Sequence, residues 1–211
     1  MHQLRIRKIS FAEWNLLLVL AGVEGLQGIF PPEQSLEKKD LLYVAHHFRK
    51  NGWITLREEQ ILLQGEMQGY GEFFRTVKSQ WYVESAYGLS TEQGMLYGND
   101  KVYLWMLPCK WEPDKFEMQW MTQSQWIDWL VEKQYVPLRK EQKYGKKGDW
   151  QETQEDAEEI YFSIEKKTGI SFRLLVGQWH AKEYIWKITS HSKEWLPYDT
   201  EKIRYVLQAE L

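Results

Sequence analysis

The chain has 211 residues, 43% of them hydrophobic and 27% charged, with a formal net charge of -3. That composition belongs to a folded globular chain able to bury a substantial core, and it supplies no long-range attraction to nucleic-acid phosphates or anionic lipid. The single cysteine, Cys109, excludes an internal disulfide and a multi-thiolate metal centre, and the outlying feature is an aromatic content of 15%.

In chain order, Arg5, Arg7 and Lys8 precede an apolar run in the manner of a secretory leader, but Glu13 and Asn15 interrupt it within a few residues. No stretch approaches the roughly 20 apolar residues needed to cross a bilayer. The expectation is a cytoplasmic chain without membrane insertion. Ser10 and Glu13 form a capping box ahead of Trp14, Leu16, Leu17, Leu18, Val19 and Leu20, so a first helix begins here. Gly22, Gly25 and Gly28 stop it before Pro31-Pro32. A second helix is predicted over about 37–50, ending at Asn51-Gly52, after which Trp53-Ile54-Thr55-Leu56 reads as extended. Arg57 to Gln60 supplies a tight turn into Ile61-Leu62-Leu63. Met67, Tyr70, Phe73, Phe74 and Val77 then recur at helical spacing over about 66–78.

From Trp81 the period changes to two. Trp81, Val83, Ser85 and Tyr87 alternate with Tyr82, Glu84 and Ala86. Extended segments follow at 94–98 and 101–107, and at 116–121, before a helix starting at Ser124 with Trp126, Ile127, Trp129, Leu130 and Val131. Residues 135–157 are polar and read as a linker or long loop. Strand patterns resume at Ile160-Phe162-Ile164, Ile170-Phe172-Leu174-Val176 and Tyr184-Trp186-Ile188, and Asp199 or Thr200 caps a last helix. Both stretches place three strands before a helix. The predicted fold class is therefore α+β: a mostly antiparallel sheet with flanking helices, arranged as two pseudo-two-fold βββα halves behind an N-terminal helical module. The corresponding segments are 1–80, 81–134, the linker 135–157, and 158–211, in one compact unit.

Reactive chemistry finds little support. There is no Gly-x-Ser-x-Gly elbow and no Gly-Lys-Ser/Thr phosphate loop. Cys109 follows an apolar strand, where a thiol is buried and inert. His46 and His47 are adjacent on a helix and point to different sides, which does not make the i, i+4 clamp of a metal site. No catalytic residue, metal ligand or cofactor is expected. The order helix, helix, Trp53–Leu56, Ile61–Leu63 is also that of a winged-helix fragment. Its second helix mixes Lys38, Lys39, Arg49 and Lys50 with Glu37 and Asp40, and does not cluster the donors that read base edges. A DNA-binding regulator is kept as an alternative class, as is an immunity protein that neutralises one toxin.

The plan as a whole resembles the EspG-type chaperones of type VII secretion. The resemblance is carried by Ser10-Phe11-Ala12-Glu13-Trp14-Asn15-Leu16-Leu17-Leu18, then Pro31-Pro32, then a helix ending in Phe48-Arg49-Lys50-Asn51-Gly52-Trp53-Ile54, and by strands followed by a helix in each half. It implies a pseudo-two-fold α+β fold and a non-catalytic cytosolic chaperone or adaptor that binds a helical protein, a secretion substrate or component. Aromatic anchors inside a polar rim are the expected contacts of such a surface. The sequence candidates are Trp105, Trp120, Trp179, Tyr184 and Trp186.

Overall fold

The computed structural model describes residues 6–26, 28, 37–86, 92–137, 148–149, 159–169, 171–179 and 182–211. The fold is α+β with an extensive, mostly antiparallel sheet. The chain divides into two compact units, one built from residues up to 78 together with 106–119, the other from 79–105 and 120–211.

In the first unit, β1 (Ile6–Ser10) pairs antiparallel with β7 (Glu112–Met121), placing Ile6 opposite Gln119. Ser10 then caps α1 (Phe11–Ala21): its hydroxyl accepts from the Glu13 amide at 3.2 Å, while the Glu13 carboxylate accepts from the Ser10 amide at 2.8 Å. The predicted capping box is fully formed. α1 ends at Gly22, whose φ of 66° is left-handed backbone that favours glycine. α2 (Lys38–Lys50) leads into the hairpin β2 (Ile54–Arg57) and β3 (Gln60–Leu63), which form a two-stranded sheet of their own, and α3 (Gly65–Thr76) follows. Trp14, Leu17, Phe48, Met67, Tyr70 and Phe74 are buried in this unit, with Trp14 edge-on to Phe74 at 4.9 Å. Polar contacts fix the packing. Arg75 Nε donates to the Ala21 carbonyl at 2.7 Å, and Arg7 both donates to Glu66 at 2.8 Å and lies 3.9 Å over the Trp53 ring.

The second unit is organised around β4 (Ser79–Ser85) and β9 (Glu159–Lys166), which pair antiparallel with Val83 opposite Ile164. Outward from this pair lie β5 (Glu92–Gly98) and then β6 (Tyr103–Cys109) on one side. On the other side lie β10 (Phe172–Trp179), β11 (Lys182–Thr189), β12 (Lys193–Pro197) and the two-residue β8 (Gly148–Asp149). Each stretch closes with a helix: α4 (Gln123–Glu132), boxed by Thr122 and Gln125, and α5 (Thr200–Glu210), capped by Asp199. The element order β4-β5-β6-β7-α4 is repeated along the chain as β9-β10-β11-β12-α5, the expected two-half pattern.

Each stretch carries four strands before its helix, one more than the sequence pattern predicts. β12 is the clearest case, since Lys193-Glu194-Trp195-Leu196-Pro197 is short, charged and ends in proline, the chemistry of a strand near a sheet margin. The central strands show why the aromatic content is high. Gly94 has no Cβ because one would stand 2.2 Å from the Trp105 ring, so glycine in β5 opens the space that the indole fills. Of the predicted linker, residues 138–147 and 150–157 lie outside the described residues.

Candidate partner-binding site

The structure places most of the sequence-nominated aromatics inside. Trp105 is 1% exposed and packs edge-to-face against Trp126 and Trp129, each at 5.7 Å. Tyr135 joins this cluster, and burial, followed by the Glu92 carboxylate that accepts its hydroxyl, pushes its phenol upward. Tyr184 and Trp186 are buried with Leu175 in a second cluster, to which the half-buried Trp195 adds an edge contact at 5.1 Å. Trp120 is half-buried near the end of β7. Trp179 closes β10, and its side chain lies outside the described residues. The four described side chains thus sit in or beside packed interior.

Among the described residues no group of three or more His, Cys, Asp or Glu is placed to hold a metal ion. Cys109 is buried, and burial raises its thiol above the ordinary range. No helix among the described residues is long and apolar enough to cross a membrane.

Exposed apolar side chains gather instead on α2 and the β2–β3 hairpin. The geometry begins at the end of α2. Asn51-Gly52 does more than stop the helix: the Gly52 amide bonds the Arg49 carbonyl at 3.0 Å and the Trp53 amide bonds the Phe48 carbonyl at 2.9 Å. Gly52 takes the left-handed φ of 68°, and Trp53 packs on Phe48 with ring centroids 5.4 Å apart. This is a Schellman turn with its apolar contact, and it ends the helix while satisfying the last carbonyls. The hairpin that follows presents Ile54, Leu56, Ile61 and Leu63 on one face, since Ile54 stands opposite Leu63 and Leu56 opposite Ile61.

Between that face and α2 runs an open groove of about 470 Å³, lined by Ala45, His46 and Arg49 from the helix and Ile54, Thr55, Leu56 and Ile61 from the hairpin. Leu56 is 71% exposed, and on α2 Leu42 and Tyr43 are 62% and 74% exposed. Leu42, Ala45 and Arg49 follow one helical stripe at spacings of three and four, so the apolar strip extends along α2 beyond the cavity itself. The hairpin tip is unusual. Glu58 and Glu59 both hold positive φ, 47° and 66°, a two-residue turn for which Asn-Gly is the relaxed choice. Trp111, at the β6–β7 turn, is a separate exposed ring beside Lys110.

Neither a family model nor a curated protein matches the chain. Among solved structures, the chain is similar to the Mycobacterium tuberculosis type VII secretion system chaperone EspG5, solved in complex with a PE25-PPE41 dimer. The TM-score is 0.58 at 5% sequence identity, over 97% of this chain and 95% of that one. The likeness is one of fold. It agrees with the fold that the N-terminal motif and the two-half pattern implied.

The sequence reading missed Leu42, Leu56 and Ile61 as surface groups. A signal was present. Leu41, Leu42, Tyr43 and Val44 are four consecutive apolar residues on a helix, and at 100° per residue they cannot all face one core.

Proposed function

We propose that this chain is a non-catalytic adaptor or chaperone that holds a helical protein partner, and that the partner is a substrate or component of type VII secretion handled in the cytoplasm. The observation that carries the reading is the open apolar groove between α2 and the β2–β3 hairpin. A groove walled by a helix on one side and a hairpin on the other suits an amphipathic helix, which buries side chains at i, i+3, i+4 and i+7. The exposed strip that continues to Leu42 and Tyr43 is longer than a small ligand would need. The fold it shares with a secretion chaperone solved together with its dimeric partner supports the choice of pathway.

The test is co-purification of the full chain from cells with an active type VII system, beside the variant Leu56→Asp. The expected result is one dominant helical protein retained by the parent chain and reduced at least about tenfold by the variant, since Leu56 is largely exposed and its loss leaves folding nearly unchanged. The same proteins at the same levels on both chains would overturn the site. Salt-sensitive retention of DNA in place of protein would favour the regulator reading.

A further inference from the structure

We infer that the groove selects for charge as well as shape: its occupant is an amphipathic helix carrying an acidic side chain beside its apolar stripe. This rests on the adaptor reading and adds the chemistry of the partner. The lining contains two basic side chains, Arg49 and His46, and no carboxylate. Three other described arginines are occupied: Arg7 by Glu66 and the Trp53 ring, Arg75 by the Ala21 carbonyl, and Arg204 by Asp128 and Glu201, while Arg57 stands exposed beside the hairpin turn. The Arg49 side chain makes no hydrogen bond or ion pair among the described residues, although it sits on an exposed helix turn beside Ile54 and Leu56.

A guanidinium at the margin of an apolar groove loses part of its hydration when that groove is covered. It then needs a partner, and a carboxylate answers with two parallel hydrogen bonds in a fixed geometry. An apolar partner helix without that group would leave Arg49 covered and unpaired, a penalty that discriminates against it. The opposite sign lies at the other end. Glu58 and Glu59 form the turn two residues beyond the Leu56–Ile61 pair, about 7 Å along the hairpin at the usual strand rise, and outnumber the adjacent Arg57. The bound helix therefore meets basic groups at one end of the groove and a net negative turn at the other. Those carboxylates suit the positive N-terminal end of a helix dipole, which orients the occupant with its acidic residue toward Arg49.

The experiment is a displayed library of 20-residue peptides of high helical propensity, with a fixed apolar stripe and randomised flanking positions. It is selected against the immobilised full chain, against Arg49→Glu, and against Leu56→Asp, each first shown to melt at the parent temperature. The expected result is enrichment of Asp or Glu at one flank on the parent chain and a switch to Lys or Arg at that flank on Arg49→Glu. Measured one by one, the acidic peptides should bind Arg49→Glu about tenfold or more weakly, the scale of a lost charge-assisted bond. Leu56→Asp should enrich nothing over the bare support. Peptides that depend on Leu56 but show no flank charge, or the same flank on parent and Arg49→Glu, would overturn the charge inference and leave the groove reading standing. Absence of any Leu56-dependent peptide would overturn both.

Discussion

Two regions of this molecule are built from large apolar side chains and behave in opposite ways. Around Trp105, the rings of Trp126, Trp129 and Tyr135 meet at 5.7 to 6.5 Å and Trp105 keeps 1% of its surface. Along α2 and the β2–β3 hairpin, Leu42, Tyr43 and Leu56 each keep more than half of theirs. Residue type does not separate the two; coverage does. Aromatic rings in this chain chiefly fill volume, while aliphatic groups on the hairpin stay exposed.

The sharpest way to break that contrast is to empty the first region. Trp105→Ala should destabilise the chain by about 3–5 kcal/mol, the usual range for a buried tryptophan, read as a large fall in melting temperature. If instead it melted normally and lost its partner, Trp105 would be an anchor after all. Next in size is Gly94→Ala. Its Cβ would enter the Trp105 ring space at 2.2 Å, and an overpacked core of this kind loses about 1–3 kcal/mol, measured by urea midpoint at constant slope.

The second region should respond in the opposite direction. Replacing Glu58-Glu59 by Asn-Gly relieves two left-handed residues and should raise stability by about 1–2 kcal/mol, visible as a higher midpoint. A smaller gain is expected at the end of α4, where the amides of Gln134 and Tyr135 bond the carbonyls of Val131 and Leu130 in the same Schellman pattern. Gln134 holds φ 58° there, and Gln134→Gly should gain about 1 kcal/mol in a melting comparison.

The smallest effect is electrostatic. The Lys115 and then the Lys8 ammonium, both bonded to Glu112, hold its carboxyl at about 2, below the ordinary 4.5. A carboxyl lowered on folding favours the fold above its ordinary range, and that contribution fades as pH falls from 4.5 toward 2. Melting curves across that window should therefore be slightly less pH-dependent in Glu112→Gln. A steeper dependence in the variant would show that the pairing does not act on stability.

Much of the fold could be read from the chain because its local signals agree with one another. The capping box at Ser10, the Asn51-Gly52 stop, the change of period at Trp81 and the Asp199 cap each correspond to the element observed. The fourth strand of each stretch was harder to see. β12 is too short and too charged for an alternation to stand out. The site was harder still. In strands covered on both faces, such as β6, apolar residues occupy both phases, so Trp105 carries no sequence mark telling surface from interior. In the hairpin the difficulty is reversed: Ile54, Leu56, Ile61 and Leu63 share a face that alternation alone would assign to the core. At the base of the hairpin Ile54 and Leu63 are covered, while Leu56 and Ile61 nearer the turn are not, a tertiary matter.

The acidic turn of the hairpin has a consequence for solubility. β2 and β3 are four residues each and, among the described residues, pair only with one another, so their outer edges are of the kind that can recruit a strand from another molecule. Arg57, Glu58 and Glu59 place charge at the turn of that short ribbon, a device that disfavours edge-to-edge pairing of two chains. The relaxed Asn-Gly replacement would thus yield a molecule that melts later yet self-associates sooner on concentration.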